Sequence, residues 1–321
     1  MSAYVARRLL QLVPVLFGIS LVVFLIMALL PGDPALAILG PYATADSLAA
    51  LRAELGLDAP LWQRFATWLG NVVHGDLGRS VTLQRPVADE IAERIGPTLL
   101  LAGTALLAAV VLGLAAGFAA AAHAGRWPDR VLTLLVLVGI STPQFWLGLI
   151  FILLFAVWLG WFPVSGMVAA WGGGGVADVL HHLALPAASL AVVVAGVLAR
   201  LARTMTLEEL AQDYVHMARA RGLPERTVLC RHALPNVLGK LMPVIGLQAG
   251  FVLGGAVYIE TVFQWPGIGR MLVDAISTRD LLLVQGGVLV IASAYVLVNL
   301  AADIAQHWLD PRIRPARRGG R

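Results

Sequence analysis

The side chains with the greatest chemical reactivity are few in this chain. His181 and His182 are adjacent, Cys230 is the only cysteine and Lys240 is the only lysine. Imidazole is a common metal ligand, but adjacent residues rarely converge on one ion, so we expect no metal site. A single cysteine forms neither an internal disulfide nor a cysteine cluster for a metal.

Motifs for nucleotide binding and hydrolysis are missing. A phosphate-binding loop needs a lysine followed by serine or threonine, and Leu241 follows Lys240. The chain also contains no H-E-x-x-H and no G-x-S-x-G motif. We therefore expect no catalytic residues and no cofactor. Any ATP that drives this protein must be bound by another subunit.

The composition is typical of a membrane protein. The chain of 321 residues is 59% hydrophobic and 13% charged, whereas soluble proteins carry about 25% charged residues. Crossing a membrane takes about 20 apolar residues. Six segments qualify: 9–30, 98–122, 131–160, 183–199, 241–259 and 281–302. The first exceeds the apolar core of a signal peptide, about 7–15 residues, so we expect an uncleaved helix.

The distribution of basic residues predicts the orientation of the spans. Arg7 and Arg8 precede the first segment, and more basic residues lie between segments four and five, whereas the short outer loops hold only Arg270 and Arg279. By the positive-inside rule both termini face the cytoplasm. In a membrane protein this placement of basic residues is more informative than the net charge of +4. Because no basic stretch is rich in aromatic residues, we expect no nucleic-acid partner.

Charged residues are absent from the middle of all six segments, with Glu260 and Asp303 near segment ends. Ion-coupled carriers usually place ionisable groups near the membrane midplane. An ion-coupled secondary transporter of small solutes is therefore the less favoured alternative. A membrane anchor or assembly protein without a transport role is a third possibility.

The third segment is too long for one straight span and contains Ser141-Thr142-Pro143-Gln144. Proline kinks a helix, and polar neighbours satisfy the freed carbonyl groups. One interpretation is a kinked packing helix, and the other is a polar translocation path. The path residues would be Ser141, Thr142, Gln144 and, on the fifth segment, Gln248. Glycines that recur every fourth residue predict close helix packing: Gly113, Gly117, Gly246, Gly250 and Gly254.

The cytoplasmic segment 204–236 is polar and has the pattern of two helices. The spacing predicts a helix over 206–221, which Gly222 ends with a positive φ. Pro224 begins a second helix, and Pro235 closes it. One interpretation is a loop that covers the membrane surface. The other is a docking element, because two amphipathic helices need a partner for their apolar sides.

This segment, "YVHMARARGLPERTVLCRHALPN", resembles the cytoplasmic loop of ABC importer permeases in the dipeptide, oligopeptide and nickel branch. Gly222 takes the place of the family's glycine, and Leu234-Pro235 follows at the required distance. Ala218 matches the last alanine of the family's Glu-Ala-Ala, which His216 and Met217 otherwise replace. The stretches "HGDLGRS", "ISTPQFWLGL" and "IETVFQWPGIGRMLVDAI" extend the resemblance over nearly the whole chain.

The resemblance implies an all-α membrane protein with six transmembrane helices and the type I ABC importer permease fold, in the bacterial inner membrane. It implies a second homologous permease, two cytoplasmic ATPase subunits and an extracytoplasmic substrate-binding protein as partners. The implied coupling residues, which contact the ATPase or shape the loop, are Tyr214, His216, Ala218, Arg219, Gly222, Leu223, Arg231, His232, Leu234 and Pro235. The substrate stays open between dipeptides, oligopeptides, glutathione and nickel complexes.

We expect four regions along the chain: an N-terminal span at 1–30, an outer segment at 31–93, a permease core at 94–307 and a basic tail at 308–321. In the outer segment, Gly32-Asp33-Pro34 marks a turn, and 86–95 has the pattern of a short helix that Gly96-Pro97 would stop. The outer segment is either a helical cap or a docking face for the binding protein. Gly172 to Gly175 predict a flexible loop.

Overall fold

The computed structural model describes residues 2–29, 34–40, 43–54, 56–169 and 174–309. In these residues the regular structure is helical, apart from one isolated antiparallel bridge between Arg79 and Pro86. The all-α class is thereby confirmed. Residues 32 and 33 of the predicted turn, half of the glycine run at 172–175 and nearly all of the basic tail lie outside the described residues.

The helices follow one another with short connections. They are α1 (Ser2–Leu29), α2 (Pro34–Leu39), α3 (Ala45–Glu54), α4 (Leu61–Val73), α5 (Val87–Ala122), α6 (Trp127–Ser141), α7 (Gln144–Phe151), α8 (Val176–Leu210), α9 (Asp213–Ala220), α10 (Glu225–Thr227), α11 (Leu234–Val262), α12 (Ile268–Ser277) and α13 (Leu281–Leu309). Two π-helical turns, Ile152–Trp158 and Val228–Ala233, continue α7 and α10.

Five helices among the described residues are long and apolar enough to cross a membrane: α1, α5, α8, α13 and the helix that ends at Val262. The sixth candidate is α6 together with α7 and its π-helical turn, which meet at an angle of 106°. The break lies at Thr142, which has the extended backbone that a following proline favours. The third predicted span is therefore broken sharply where the sequence predicts a kink.

The chain divides into two compact units. Unit 1 comprises Met1–Leu99 and Pro266–Val296, and unit 2 comprises Leu100–Trp265 and Leu297–Arg321. The core of unit 1 includes Met27, Val87 and Leu272. The core of unit 2 is built around α8, which carries more buried residues than any other described span, with 72% of its most apolar window buried.

Glycine allows α8 to pack closely against two neighbours in unit 2. A Cβ atom at Gly117 would lie 2.5 Å from the Ala199 carbonyl oxygen, and one at Gly113 would lie 2.7 Å from that of Ala195. On α8 itself, a Cβ atom at Gly196 would lie 2.7 Å from Ile140 of α6. The backbones thus approach within distances that no side chain allows, as predicted for Gly113 and Gly117.

Two details of the sequence prediction are wrong. Gly254 faces open space, whereas a Cβ atom at the adjacent Gly255 would lie 2.9 Å from Leu190 of α8. The predicted short helix at 86–95 is the first part of α5, which continues through Pro97. Burial of Val87 and Ile91 holds the turns before the proline, and membrane helices tolerate the missing N–H.

We predict that Gly117→Val destabilises the protein by about 1–3 kcal/mol, the usual cost of overpacking, because its side chain would collide with Ala199 and Ala202. Gly103→Val is the matched control, since Gly103 lies on the same helix and faces open space. Thermal unfolding of the detergent-solubilised variants measures the difference. Equal melting temperatures for the two variants would contradict the close packing of α5 on α8.

Candidate functional site

The cytoplasmic segment is more strongly bent than the sequence indicates. The predicted helix over 206–221 is wrong, because α8 ends at Leu210 and α9 begins at Asp213. Between them, Gln212 has an extended backbone that lets the chain change direction. Pro235 does not close a helix. It lies in the first turn of α11, where its missing N–H has no helical partner to lose.

Gly222 forms the turn between α9 and α10 with φ +78°, in the left-handed region, as predicted. Its N–H donates to the Arg219 carbonyl oxygen at 2.9 Å. A Cβ atom at Gly222 would have no neighbour within 4 Å among the described atoms. The turn therefore requires glycine for its backbone conformation and leaves space for a side chain.

The segment has a small apolar interior of its own. Val215 and Ala218 of α9 are buried against Val228, and Leu210 at the end of α8 packs on them. Part of the apolar sides of the two helices is therefore buried inside the segment itself. The exposed side chains of the segment include Tyr214, His216, Met217, Leu223 and Arg231.

A polar network holds α9 to the ends of α8 and α11. The buried carboxylate of Glu209 accepts hydrogen bonds from the Tyr214 hydroxyl and from the Lys240 ammonium group, each at 2.5 Å. The Asn236 amide donates to the Tyr214 oxygen at 2.9 Å and to the His232 carbonyl oxygen at 3.1 Å. Burial, together with the bond to Glu209, raises the pKa of Tyr214, so its hydroxyl stays protonated as a donor.

An ion pair closes the turn at Gly222. The guanidinium group of Arg219 donates to both oxygens of Glu225, at 2.6 and 3.1 Å. This pairing raises the pKa of Arg219, chiefly through the hydrogen bond. Bidentate arginine pairs fix geometry better than single contacts do. Both arms of the turn are thus tied together on its exposed side.

A second ion pair, which the sequence analysis missed, joins α6 and α8. Arg203 donates to both oxygens of Asp129, at 2.6 and 2.8 Å, and the Gly125 N–H donates to the same carboxylate at 2.9 Å. Asp129 is only 4% exposed. The only signal in the sequence is an acidic residue beside Trp127-Pro128 at the cytoplasmic start of a span, which by itself is also typical of a helix N-terminus.

Gln144 is the predicted path residue whose side-chain amide reaches into the interior of the protein. Gln144, at the start of α7, packs against Gly255 of α11. Its Nε2 is buried without a hydrogen-bond partner among the described residues. The Thr142 hydroxyl donates to the Val138 carbonyl oxygen at 2.7 Å. Ser141 is exposed, and Gln248 is half-buried on α11.

The adjacent histidines bind separate parts of the chain. A ring nitrogen of His181 lies 2.8 Å from the Trp161 carbonyl oxygen. His182 contacts the carbonyl oxygen and the carboxylate of Asp178, at 2.9 and 3.2 Å. Within the described residues no group of three or more His, Cys, Asp or Glu side chains is arranged to hold a metal ion.

Asp280 organises the outer side of unit 1. Its buried carboxylate accepts bonds from the Ser80 hydroxyl at 2.5 Å and from the Thr82 N–H at 3.1 Å. It also accepts the Leu283 N–H at 3.2 Å, which caps the start of α13. One carboxylate therefore fastens the loop before α5 to the last span, a connection that no local pattern in the sequence indicates.

We predict that Glu209→Gln loosens α9, because a neutral amide loses the charge-assisted bond to Lys240, and such bonds contribute about 1.5–3 kcal/mol. Amide hydrogen exchange over 213–220 should accelerate about tenfold or more. Glu208→Gln is the matched control, since its neighbouring side chain is exposed. Equal exchange in both variants would show that the network does not hold the helix.

Comparisons with known proteins agree with the fold and identify the family. Residues 95–315 match the family described as binding-protein-dependent transport system inner membrane component, and residues 1–102 match its N-terminal family. The glutathione transport system permease protein GsiC of Escherichia coli is 43% identical over 314 residues, which cover 98% of this chain and 99% of that protein. GsiC of Shigella flexneri matches equally well, at 43% over 314 residues.

Two solved structures share the fold at low sequence identity. The MetNI methionine ABC transporter, in an inward-facing conformation, superposes with a TM-score of 0.58 at 17% identity, over 69% of this chain and 96% of that chain. An amino acid ABC transporter superposes with a TM-score of 0.50 at 15% identity, over 70% and 95%. The chain therefore belongs to the family of inner membrane components of binding-protein-dependent transport systems and is a permease subunit of an ABC importer, without catalytic activity of its own.

Proposed function

We propose that this permease subunit forms part of the translocation path for glutathione or a related short peptide. The observation that carries the proposal is the 43% identity, over 98% of the chain, to permeases of glutathione transport systems. Identity of this extent includes the spans as well as the cytoplasmic segment. The same identity favours glutathione over nickel complexes, another substrate class that the resemblance leaves open.

The path itself is lined by Ser141, Thr142, Gln144 and Gln248 in this proposal. Gln144 supports it most directly, because its buried Nε2 has no protein partner among the described residues. A buried amide of this kind is usually hydrogen-bonded. A passing peptide offers carbonyl oxygens that accept such a bond. Because Ser141, Thr142 and Gln248 carry no charge, the path would accommodate solutes without binding them tightly.

The partners we propose are a second homologous permease, two cytoplasmic ATPase subunits and an extracytoplasmic binding protein. The chain has no phosphate-binding loop, so ATP binding must occur elsewhere. The cytoplasmic segment supplies a surface for the ATPase, with Tyr214, His216, Met217 and Leu223 exposed. The outer segment at 31–93 would receive the binding protein.

The cytoplasmic segment acts as a rigid coupling element in this mechanism. Glu209 joins α9 to α8 and α11, and the Arg219–Glu225 pair fixes the turn. A rigid segment transmits the closure of the ATPase to the spans as a rigid-body movement. In this proposal Arg231, His232 and Leu234 support the surface from the π-helical turn and the start of α11.

We predict ATP-dependent uptake of glutathione by proteoliposomes that contain the complete importer and its binding protein. Labelled glutathione, a dipeptide and a nickel complex are compared, and we expect the nickel complex not to accumulate. Vesicles that contain the ATPase-free permeases under a proton or sodium gradient are the control. Uptake driven by an ion gradient alone would contradict the proposal and favour a secondary transporter.

We predict that Gly222→Val uncouples ATP hydrolysis from transport, because a β-branched residue does not adopt φ +78° without strain. Gly222→Asn is the matched control, since asparagine tolerates the left-handed region and the site has space for its side chain. The ratio of ATP hydrolysed to solute transported should rise severalfold for valine and little for asparagine. Equal coupling in both variants would contradict the role of the turn.

A further inference from the structure

Unit 1 contains a pocket of about 390 Å³ that the proposed path residues do not line. Its wall combines residues of α1, α4, the loop before α5 and the start of α13. The volume lies in the range of small-molecule sites, about 300–1,000 Å³. Apolar side chains, among them Phe24, Leu57 and Leu282, form much of the lining. The pocket is thus large enough and apolar enough for a small amphiphilic molecule.

The most informative lining residue is Trp68. Trp68 is only 7% exposed, and its Nε1 is buried without a hydrogen-bond partner among the described residues. Buried indole N–H groups usually find an acceptor. Trp68 lines the pocket. A molecule bound there would be placed to accept a hydrogen bond from its Nε1.

Two arginines line the same pocket without an acidic partner among the described side chains. Arg64 lies over the Phe24 ring, with its guanidinium carbon 5.9 Å from the ring centroid, and burial lowers its pKa. Arg279 also lines the pocket. By contrast, the arginines at 85 and 94 both pair with Glu90. Asp76, the acidic residue of the lining, already accepts the Gly78 N–H at 2.8 Å.

We propose that this pocket binds an acidic amphiphile, whose phosphate or carboxylate accepts from Trp68 and pairs with Arg64 and Arg279, and whose apolar part packs on Phe24. Phe24 lies on α1, near the end of the first span, so the pocket is at the level where the chain leaves the hydrocarbon region. An anionic phospholipid and a soluble fatty acid share this chemistry. The predicted path residues do not line this pocket, so the proposed ligand site is distinct from the predicted path.

The lipid source is tested by native mass spectrometry of the complete importer, released from vesicles of phosphatidylglycerol or of phosphatidylcholine. We expect retention of phosphatidylglycerol and not of phosphatidylcholine. Trp68→Phe removes the indole donor while keeping an aromatic ring and should lower retention about tenfold, and Arg64→Gln should lower it further. Trp62→Phe is the matched control, because Trp62 lies on the same helix and is 73% exposed.

The soluble source is tested with octanoate and its neutral isostere octanamide. We expect octanoate to raise the melting temperature of the importer relative to octanamide, as a ligand of the folded state does, and Trp68→Phe to abolish the difference. Selective binding of either acidic probe that depends on Trp68 supports the site. Equal retention of both lipids and equal effects of both soluble probes, or equal behaviour of the Trp62 and Trp68 variants, would overturn it.

Discussion

The close approach of α8 to its neighbours is the constraint on which unit 2 depends. Gly113 and Gly117 bring α5 against the backbone of α8, and Gly196 admits Ile140 of α6. In lipid, helices gain little from the hydrophobic effect between them, so van der Waals contact of this closeness supplies much of the association energy. Ordinary side chains at these positions would separate the helices and open the core around Leu190 and Leu198.

The same helix, α8, connects the core of unit 2 to the cytoplasmic segment. Arg203 binds Asp129 on α6 with two hydrogen bonds, and Glu209 binds Tyr214 and Lys240. Each carboxylate is buried, so losing its partner would leave an uncompensated charge, which is strongly destabilising. The end of α8 is consequently fixed to three other helices. Because these bonds hold the helix ends together, we expect a movement of α9 to be transmitted to the core with little bending of the cytoplasmic segment.

The sequence predicts features that depend on local periodicity or on backbone chemistry. The apolar segments, the break beside Pro143 and the positive φ of Gly222 are of this kind. It does not predict contacts between distant residues, such as Ser80 with Asp280 or Asp129 with Arg203, because pairing across the fold leaves no local pattern. The continuation of α5 through Pro97 was missed for a similar reason, since tertiary packing there outweighs the helix-breaking tendency of proline.

The placement of charge explains why the driving force must enter from outside the membrane. The middle of every predicted span lacks Asp, Glu, Lys and Arg, so an ion gradient has no group there to protonate or to bind a cation. The strong ion pairs of unit 2 lie instead at the ends of helices, at Asp129, Glu209 and Glu225. Pairs at these positions transmit movement between helices and do not respond to the membrane interior. This placement of charge agrees with the proposed mechanism, in which a partner ATPase acts on the cytoplasmic segment.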